Sequence, residues 1–176
     1  MKYRFLLLPA LALVAGCQTA PPAPTRGFSP AQQAALQENG FKPAGDNWEF
    51  GLADRLLFAS DSSDLVEDQR AALSRTAAAL AKVDIHGARV EGHTDRTGSM
   101  TYNEALSLKR ATAVAGALRA GGLDGDRLVV RGLGARYPVM SNITAAGRTE
   151  NRRVVIIVSP DDTRPATPAA PGAVHQ

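Results

Sequence analysis

The apolar positions of this chain change period several times, and each change predicts an element. Lys2 and Arg4 precede an apolar run from Phe5 to Val14 that only Pro9 interrupts. The run is shorter than the roughly 20 apolar residues that cross a bilayer. With Ala15-Gly16 it has the form of a cleavable export signal over residues 1–16. A Pro-rich linker over 17–29 includes Ala20-Pro21-Pro22-Ala23-Pro24-Thr25. Extended at about 3.1 Å per residue, Gln18 to Phe28 reach roughly 30 Å. Ser29-Pro30-Ala31-Gln32 starts a helix: Ser29 is the N-cap, Pro30 takes the first helical position and Gln32 closes a capping box. Gly40 stops this helix at Asn39.

A turn over Pro43-Ala44-Gly45-Asp46 leads to a first strand over Trp48 to Phe58. A helix over Leu65 to Val83 follows, with Asp64 as cap, Glu67 as its partner and an apolar stripe of Leu73, Ala77 and Leu80. The pattern continues with a strand over Ile85 to Gly92, a long helix over Thr97 to Ala120 that Gly121-Gly122 stops, and a strand over Arg127 to Gly132. A short helix over Thr144 to Asn151 and a strand over Arg153 to Ser159 complete it. Four strands alternating with helices over 48–159 predict an α+β domain whose helices pack on a face of one sheet. Residues 160–176, rich in Pro, Ala and Thr, predict a disordered tail.

Without the signal, about 160 residues remain, one domain of ordinary size plus tails. The net charge of +3 comes from 20 basic against 17 acidic residues. That balance and the exported location argue against nucleic acid as a partner. Cys17 is the single cysteine and directly follows Ala15-Gly16. This arrangement resembles the lipobox of bacterial lipoproteins, with Val14 in place of the usual Leu. The resemblance implies that Cys17 is acylated and becomes the first mature residue, and that Gln18, not Asp, sorts the protein to the outer membrane. Each buried methylene of the acyl chains contributes about 0.8 kcal/mol to the anchor. The alternative is an ordinary secretory signal with a free cysteine beside it. An acylated Cys17 leaves no thiol for a disulfide, so the fold rests on its core.

Candidate chemistry gathers at Glu91-Gly92-His93-Thr94-Asp95-Arg96-Thr97-Gly98, where a predicted strand ends and the long helix begins. At 100° per residue Tyr102, Leu106, Ala113 and Ala117 share one helix face, and Arg110 borders that stripe. A guanidinium there needs an anion. One reading is an internal ion pair to a carboxylate such as Asp95; the other is a fork for an external carboxylate. Asn103 lies two turns earlier on the same side. Asp95 is either a turn residue holding backbone amides or an acceptor for an ammonium group. An acid and a guanidinium flanking one pocket suit a zwitterion. Catalysis by His93, Asp95 and Ser99 lacks a second base and a nucleophile motif. His86, His93 and His175 are too scattered for a metal site. The protein is therefore expected to be no enzyme, and neither metal nor cofactor is expected.

Glu91-Gly92-His93-Thr94-Asp95, Gly98, Tyr102-Asn103, Leu106-Ser107, Arg110-Ala111, Gly132-Leu133-Gly134, Pro138, Asn142-Ile143-Thr144, Gly147-Arg148 and Asn151-Arg152-Arg153-Val154 together resemble the OmpA-like peptidoglycan-binding domain, shared by outer-membrane OmpA proteins and Pal lipoproteins. The resemblance covers about Trp48 to Ser159. It implies a mixed four-stranded sheet in βαβαβ(α)β order. It also implies that Asp95 holds the amine, and Arg110 the carboxylate, of diaminopimelate in the stem peptide. Asp61, Asn103 and Arg152 are further implied contacts. Leu36-Gln37-Glu38, Gly40-Phe41, Trp48-Glu49-Phe50-Gly51 and Val83-Asp84-Ile85 narrow the likeness to YfiB-type lipoproteins. In that group the segment between anchor and domain sequesters YfiR, a periplasmic repressor of a diguanylate cyclase, and so raises cyclic-di-GMP. Here that segment is residues 30–47 with Trp48, and Phe41 and Trp48 are its apolar groups for a partner; they could equally pack onto their own domain. A passive, Pal-like tether between outer membrane and wall is the alternative function. Dimerisation in such proteins depends on surfaces that no motif marks, so a homodimer stays open.

Overall fold

The computed structural model describes residues 27–58 and 62–163; the expected export signal, Cys17, most of the Pro-rich linker, Asp61 and residues 164–176 lie outside them. The regular elements are α1 (Pro30–Glu38), β1 (Lys42–Ala44), β2 (Asn47–Ala53), α2 (Asp54–Leu57), α3 (Glu67–Ala81), β3 (Ala88–His93), α4 (Met100–Ala120), β4 (Leu128–Gly134), α5 (Ala145–Asn151) and β5 (Arg153–Val158). The strands form one sheet in the order β1-β2-β5-β3-β4. Only β3 and β4 run parallel. The mixed sheet is as expected, with five strands where four were anticipated. The extra strand is β1: Lys42-Pro43-Ala44, with Pro43 and Ala44 read from the sequence as turn, pair with β2, and the reversal is confined to Gly45-Asp46. A proline is tolerated there because β1 is an edge strand.

Helices cover one face of this sheet. Val90, Val154, Ile156 and Val158 meet Leu36 of α1, Leu73, Ala77 and Leu80 of α3, and Ala111, Val114 and Leu118 of α4. The close approach of α4 depends on small residues beneath it. A Cβ at Gly92 would strike the Ser107 carbonyl, and one at Gly132 would lie 2.7 Å from that of Glu104. The buried stripe of α4 is Asn103, Ser107, Arg110, Ala111, Val114 and Leu118. It is rotated from the expected face, for Tyr102 is exposed and Arg110 lies inside the stripe.

The first expected strand is shorter than its apolar run. Pairing with β5 ends at Ala53, opposite Arg153, and the chain turns into α2, whose first amide, that of Asp54, donates to the Arg152 carbonyl (3.0 Å). The expected cap of the next helix also moves. Leu65 is held in a bridge to Phe58, so Val66 stands at the N-cap without a side-chain bond and Asp64 caps nothing.

The segment before β2 is part of the core. Ser29 and Gln32 form the anticipated capping box. At the other end of α1 the Gly40 amide donates to Gln37 and the Phe41 amide to Leu36, a Schellman closure that brings Phe41 over Leu36. Leu36 is fully buried, Phe41 is 2% exposed, and the Phe41 and Phe50 rings lie 5.3 Å apart. The Gln32 amide donates to the Val83 carbonyl (3.0 Å), fixing α1 to the end of α3. Trp48 is half-buried and packs against the same core. Of the two readings of this segment, packing at home holds for Phe41, which offers no exposed surface to a partner.

Residues Pro160–Thr163, expected as the start of the tail, form a 3-10 turn; residues 164–176 lie outside the described residues. The His86 amide donates to the Asp162 carbonyl (2.9 Å), and the Asp162 carboxylate accepts from Ser159. Ser29, Val83, His86 and Thr163 thus share one cavity, beside the start of β3. Asp95 follows the other end of that strand, about 20 Å away for six residues of strand. Phe41→Ala should cost about 3–5 kcal/mol in denaturant-induced unfolding; an unchanged midpoint would show that Phe41 is not core.

Candidate functional site

Where β3 ends, Thr94 and Asp95 stay buried and the chain turns back into α4. Asp95 Oδ1 accepts from the Thr97 amide (2.8 Å). Asn103 reaches back from α4 to donate to the carbonyls of Thr97 (3.0 Å) and Asp95 (3.4 Å). Ser99, weighed above as a nucleophile, caps α4 by accepting from the Tyr102 amide. Asn103 therefore acts on the loop that positions Asp95, through its backbone.

Two ion pairs meet at this turn. Arg152 Nη1 donates to Asp95 Oδ2 at 2.7 Å, and Arg152 Nη2 donates to Thr149 Oγ1 at 3.0 Å. Arg110 Nη1 pairs with Asp54 Oδ1 at 2.9 Å. The Arg110 guanidinium lies over the Phe58 ring, 5.3 Å from its centroid, and donates to the Ser62 carbonyl. The internal partner of Arg110 is thus Asp54, not Asp95. Asp54 is close enough to feel the charges of Arg152 and Asp95 as well, so the four groups form one cluster of zero net charge. Arg152 is its most open member, with a side chain 36% exposed against 8% for Arg110.

The electrostatics follow from this crowding. Burial pushes the Asp54 carboxyl above the usual carboxylate range, against the pull of Arg110 and Arg152. Burial would also raise Asp95, but the Arg152 hydrogen bond and those from Thr97 outweigh it and hold that carboxyl low. Asp95 is the fixed anion of the site. His93 lies on the sheet face away from the helices, 5% exposed, with Nε2 3.9 Å from Glu91 and Nδ1 without a partner among the described residues. Burial and the Arg153 charge push its pKa down to about 4.

Of the residues singled out from the sequence, Asp95, Asn103, Arg110 and Arg152 meet at one end of the sheet. Asp61 lies outside the described residues, one position before Ser62, and Cys17 lies outside them too. Phe41 and Trp48 belong to the N-terminal part of the core. Asp54 was missed. Its signal is a carboxylate in the middle of an apolar run, a poor place for a charge unless a cation waits for it.

Residues 57–152 match the OmpA family, and the chain belongs to that family. It is 47% identical over 158 residues to the outer-membrane lipoprotein YfiB of Pseudomonas aeruginosa, covering 88% of this chain and 93% of that protein. It is 42% identical over 148 residues to the putative lipoprotein YfiB of Escherichia coli, covering 84% and 90%. Among solved structures it is similar to the cell wall anchor of the T6SS from Pseudomonas aeruginosa, at 32% identity and a TM-score of 0.63 over 73% of this chain and 96% of that one.

Asp54→Ala leaves the Arg110 guanidinium buried and unpaired, and should destabilise the fold by about 3–5 kcal/mol in urea titrations. His93 gives the pH dependence. An imidazole at about 4 in the folded chain and 6.5 when unfolded stabilises fully above pH 6.5, and that stability is lost as the pH falls toward 4. Unfolding free energy should drop by about 2–3 kcal/mol between pH 7.5 and 4.5, and His93→Gln should remove most of that slope.

Proposed function

We propose that this protein is an outer-membrane lipoprotein, anchored through Cys17 and facing the periplasm, that binds peptidoglycan non-covalently through the diaminopimelate of its stem peptide. The observation that carries this reading is the neutral cluster of Asp95, Arg152, Asp54 and Arg110 at the loop end of β3. A group bearing an amine and a carboxylate on one carbon replaces like with like in such a cluster. Its ammonium takes the place of Arg152 on Asp95. Arg152, the most exposed of the four, moves aside and joins Arg110 in binding the carboxylate. Asp54 stays as the internal counter-charge of Arg110, and Asp61 is the further contact that the family resemblance implies. Membership of the OmpA family and the likeness to a cell wall anchor support the ligand class. The names of the lipoprotein relatives support the anchor and its membrane.

The finer part of the proposal is that residues 30–47, with Trp48, sequester a YfiR-like periplasmic repressor and thereby activate a diguanylate cyclase. It is supported by the likeness to YfiB proteins over most of the chain. Trp48, half-buried near the sheet edge, is the apolar group such a partner reaches without rearrangement; Phe41 becomes available only if α1 lifts away. The burial of Leu36 and Phe41 favours the second reading, a passive tether between outer membrane and wall. Trp48→Ala and the wild type together separate them: loss of repressor capture with intact wall binding in the variant supports signalling, and a wild type that binds the wall but captures no repressor supports the tether.

Asp95→Asn and Arg110→Gln should each weaken sedimentation with purified sacculi at least tenfold, the equivalent of about 1.5–3 kcal/mol for a lost charged partner. Melting curves of both variants separate loss of the site from loss of the fold. Folded variants that pellet like the wild type would refute the pocket.

A further inference from the structure

A groove of about 590 Å³ lies beside the charge cluster. Arg96 and Thr97, which form one wall, directly follow Asp95, and the Thr97 amide is bonded to the Asp95 carboxylate. The opposite wall is the loop from Pro138 to Ile143.

That loop is held with unusual completeness. The side-chain amide of Asn151, fully buried, accepts at Oδ1 from the amides of Val139 (2.9 Å) and Met140 (3.0 Å). Its Nδ2 donates to the Met140 carbonyl (2.8 Å) and to Asn142 Oδ1 (3.1 Å). Asn142 Oδ1 also accepts from the Arg96 amide (3.1 Å), which ties the two walls together. Arg148 Nη1 donates to the carbonyls of Asn142 (3.0 Å) and Ile143 (2.9 Å). This network fixes the backbone while Met140 stays 54% and Ile143 89% exposed. Large apolar side chains presented to water from a rigid loop mark a contact surface. The groove is also electropositive: Arg96 and Arg148 line it, no carboxylate does, and the exposed Arg96 makes no ion pair among the described residues.

We propose that this groove is a second subsite that takes a small apolar residue carrying a free carboxylate, the alanine that follows diaminopimelate in a stem tetrapeptide. The inference rests on the wall-binding reading and deepens it. With the zwitterionic end of diaminopimelate on Asp95 and Arg110, the other end of that residue leads past Thr97 into the groove. The alanine methyl meets Met140 and Ile143, and its carboxylate meets the Arg96 guanidinium. The chain thereby discriminates between stems that keep this alanine and stems trimmed back to diaminopimelate.

The test is a binding titration of the full domain with two purified muropeptides, the disaccharide tripeptide ending in diaminopimelate and the disaccharide tetrapeptide with one further alanine. The wild type should bind the tetrapeptide at least fivefold more tightly. Ile143→Ser and Arg96→Gln, both at exposed positions, should each bring the tetrapeptide down to the tripeptide affinity and leave the tripeptide unchanged. Equal affinity of the wild type for both ligands overturns the groove alone. So do variants that weaken both ligands alike. A wild type that binds neither overturns the wall-binding reading and this one with it.

Discussion

Two carboxylates and a guanidinium largely removed from water, with a second guanidinium at their edge, remain together as a neutral set, and the loop end of this sheet is built around that requirement. An unpaired charge at such depth costs several kcal/mol, a large share of a domain's whole stability. Each member therefore comes from a different element: Asp54 from the start of α2, Asp95 from the turn after β3, Arg110 from the buried stripe of α4, Arg152 from the joint between α5 and β5. Holding four charges in register demands that β2, β3, β5 and α4 be fixed relative to one another. Gly92 and Gly132 let α4 lie against the sheet, and the Ser107 hydroxyl accepts from the Gly134 amide to join α4 to the end of β4.

The same economy extends to the N-terminal segment. A nine-residue helix and a three-residue strand are too short to stand alone. They hold their shape by inserting Leu36 and Phe41 under Phe50 and by bonding Gln32 to the end of α3. The short elements thus owe their shape to the core they join and not to their own length.

What could be read from the chain divides by the range of the interaction. Ser29, Gln32 and Gly40 announce their helix because capping is settled within a few residues, and the helices over 67–81 and 100–120 carry their own stripes. Asp95, Asn103 and Arg110 were legible as a constellation because the turn and helix that bear them are contiguous. Asp54 was not, since its partner lies on a distant helix and the apolar run around it reads as unbroken strand. β1 escaped because three residues with a proline carry no period. Asp64 was misplaced as a cap because the bridge between Phe58 and Leu65, a tertiary contact, decides where α3 starts.

The cavity shared by Ser29 and Thr163 sits at the pole of the sheet away from Asp95. A pull exerted between these two poles therefore runs along the strand axes. The rungs joining β2, β5 and β3 then bear load side by side, in shear, and none is peeled open ahead of its neighbours. Load entering at Ser29 reaches the sheet through α1, which the Gln32–Val83 bond ties to the end of α3.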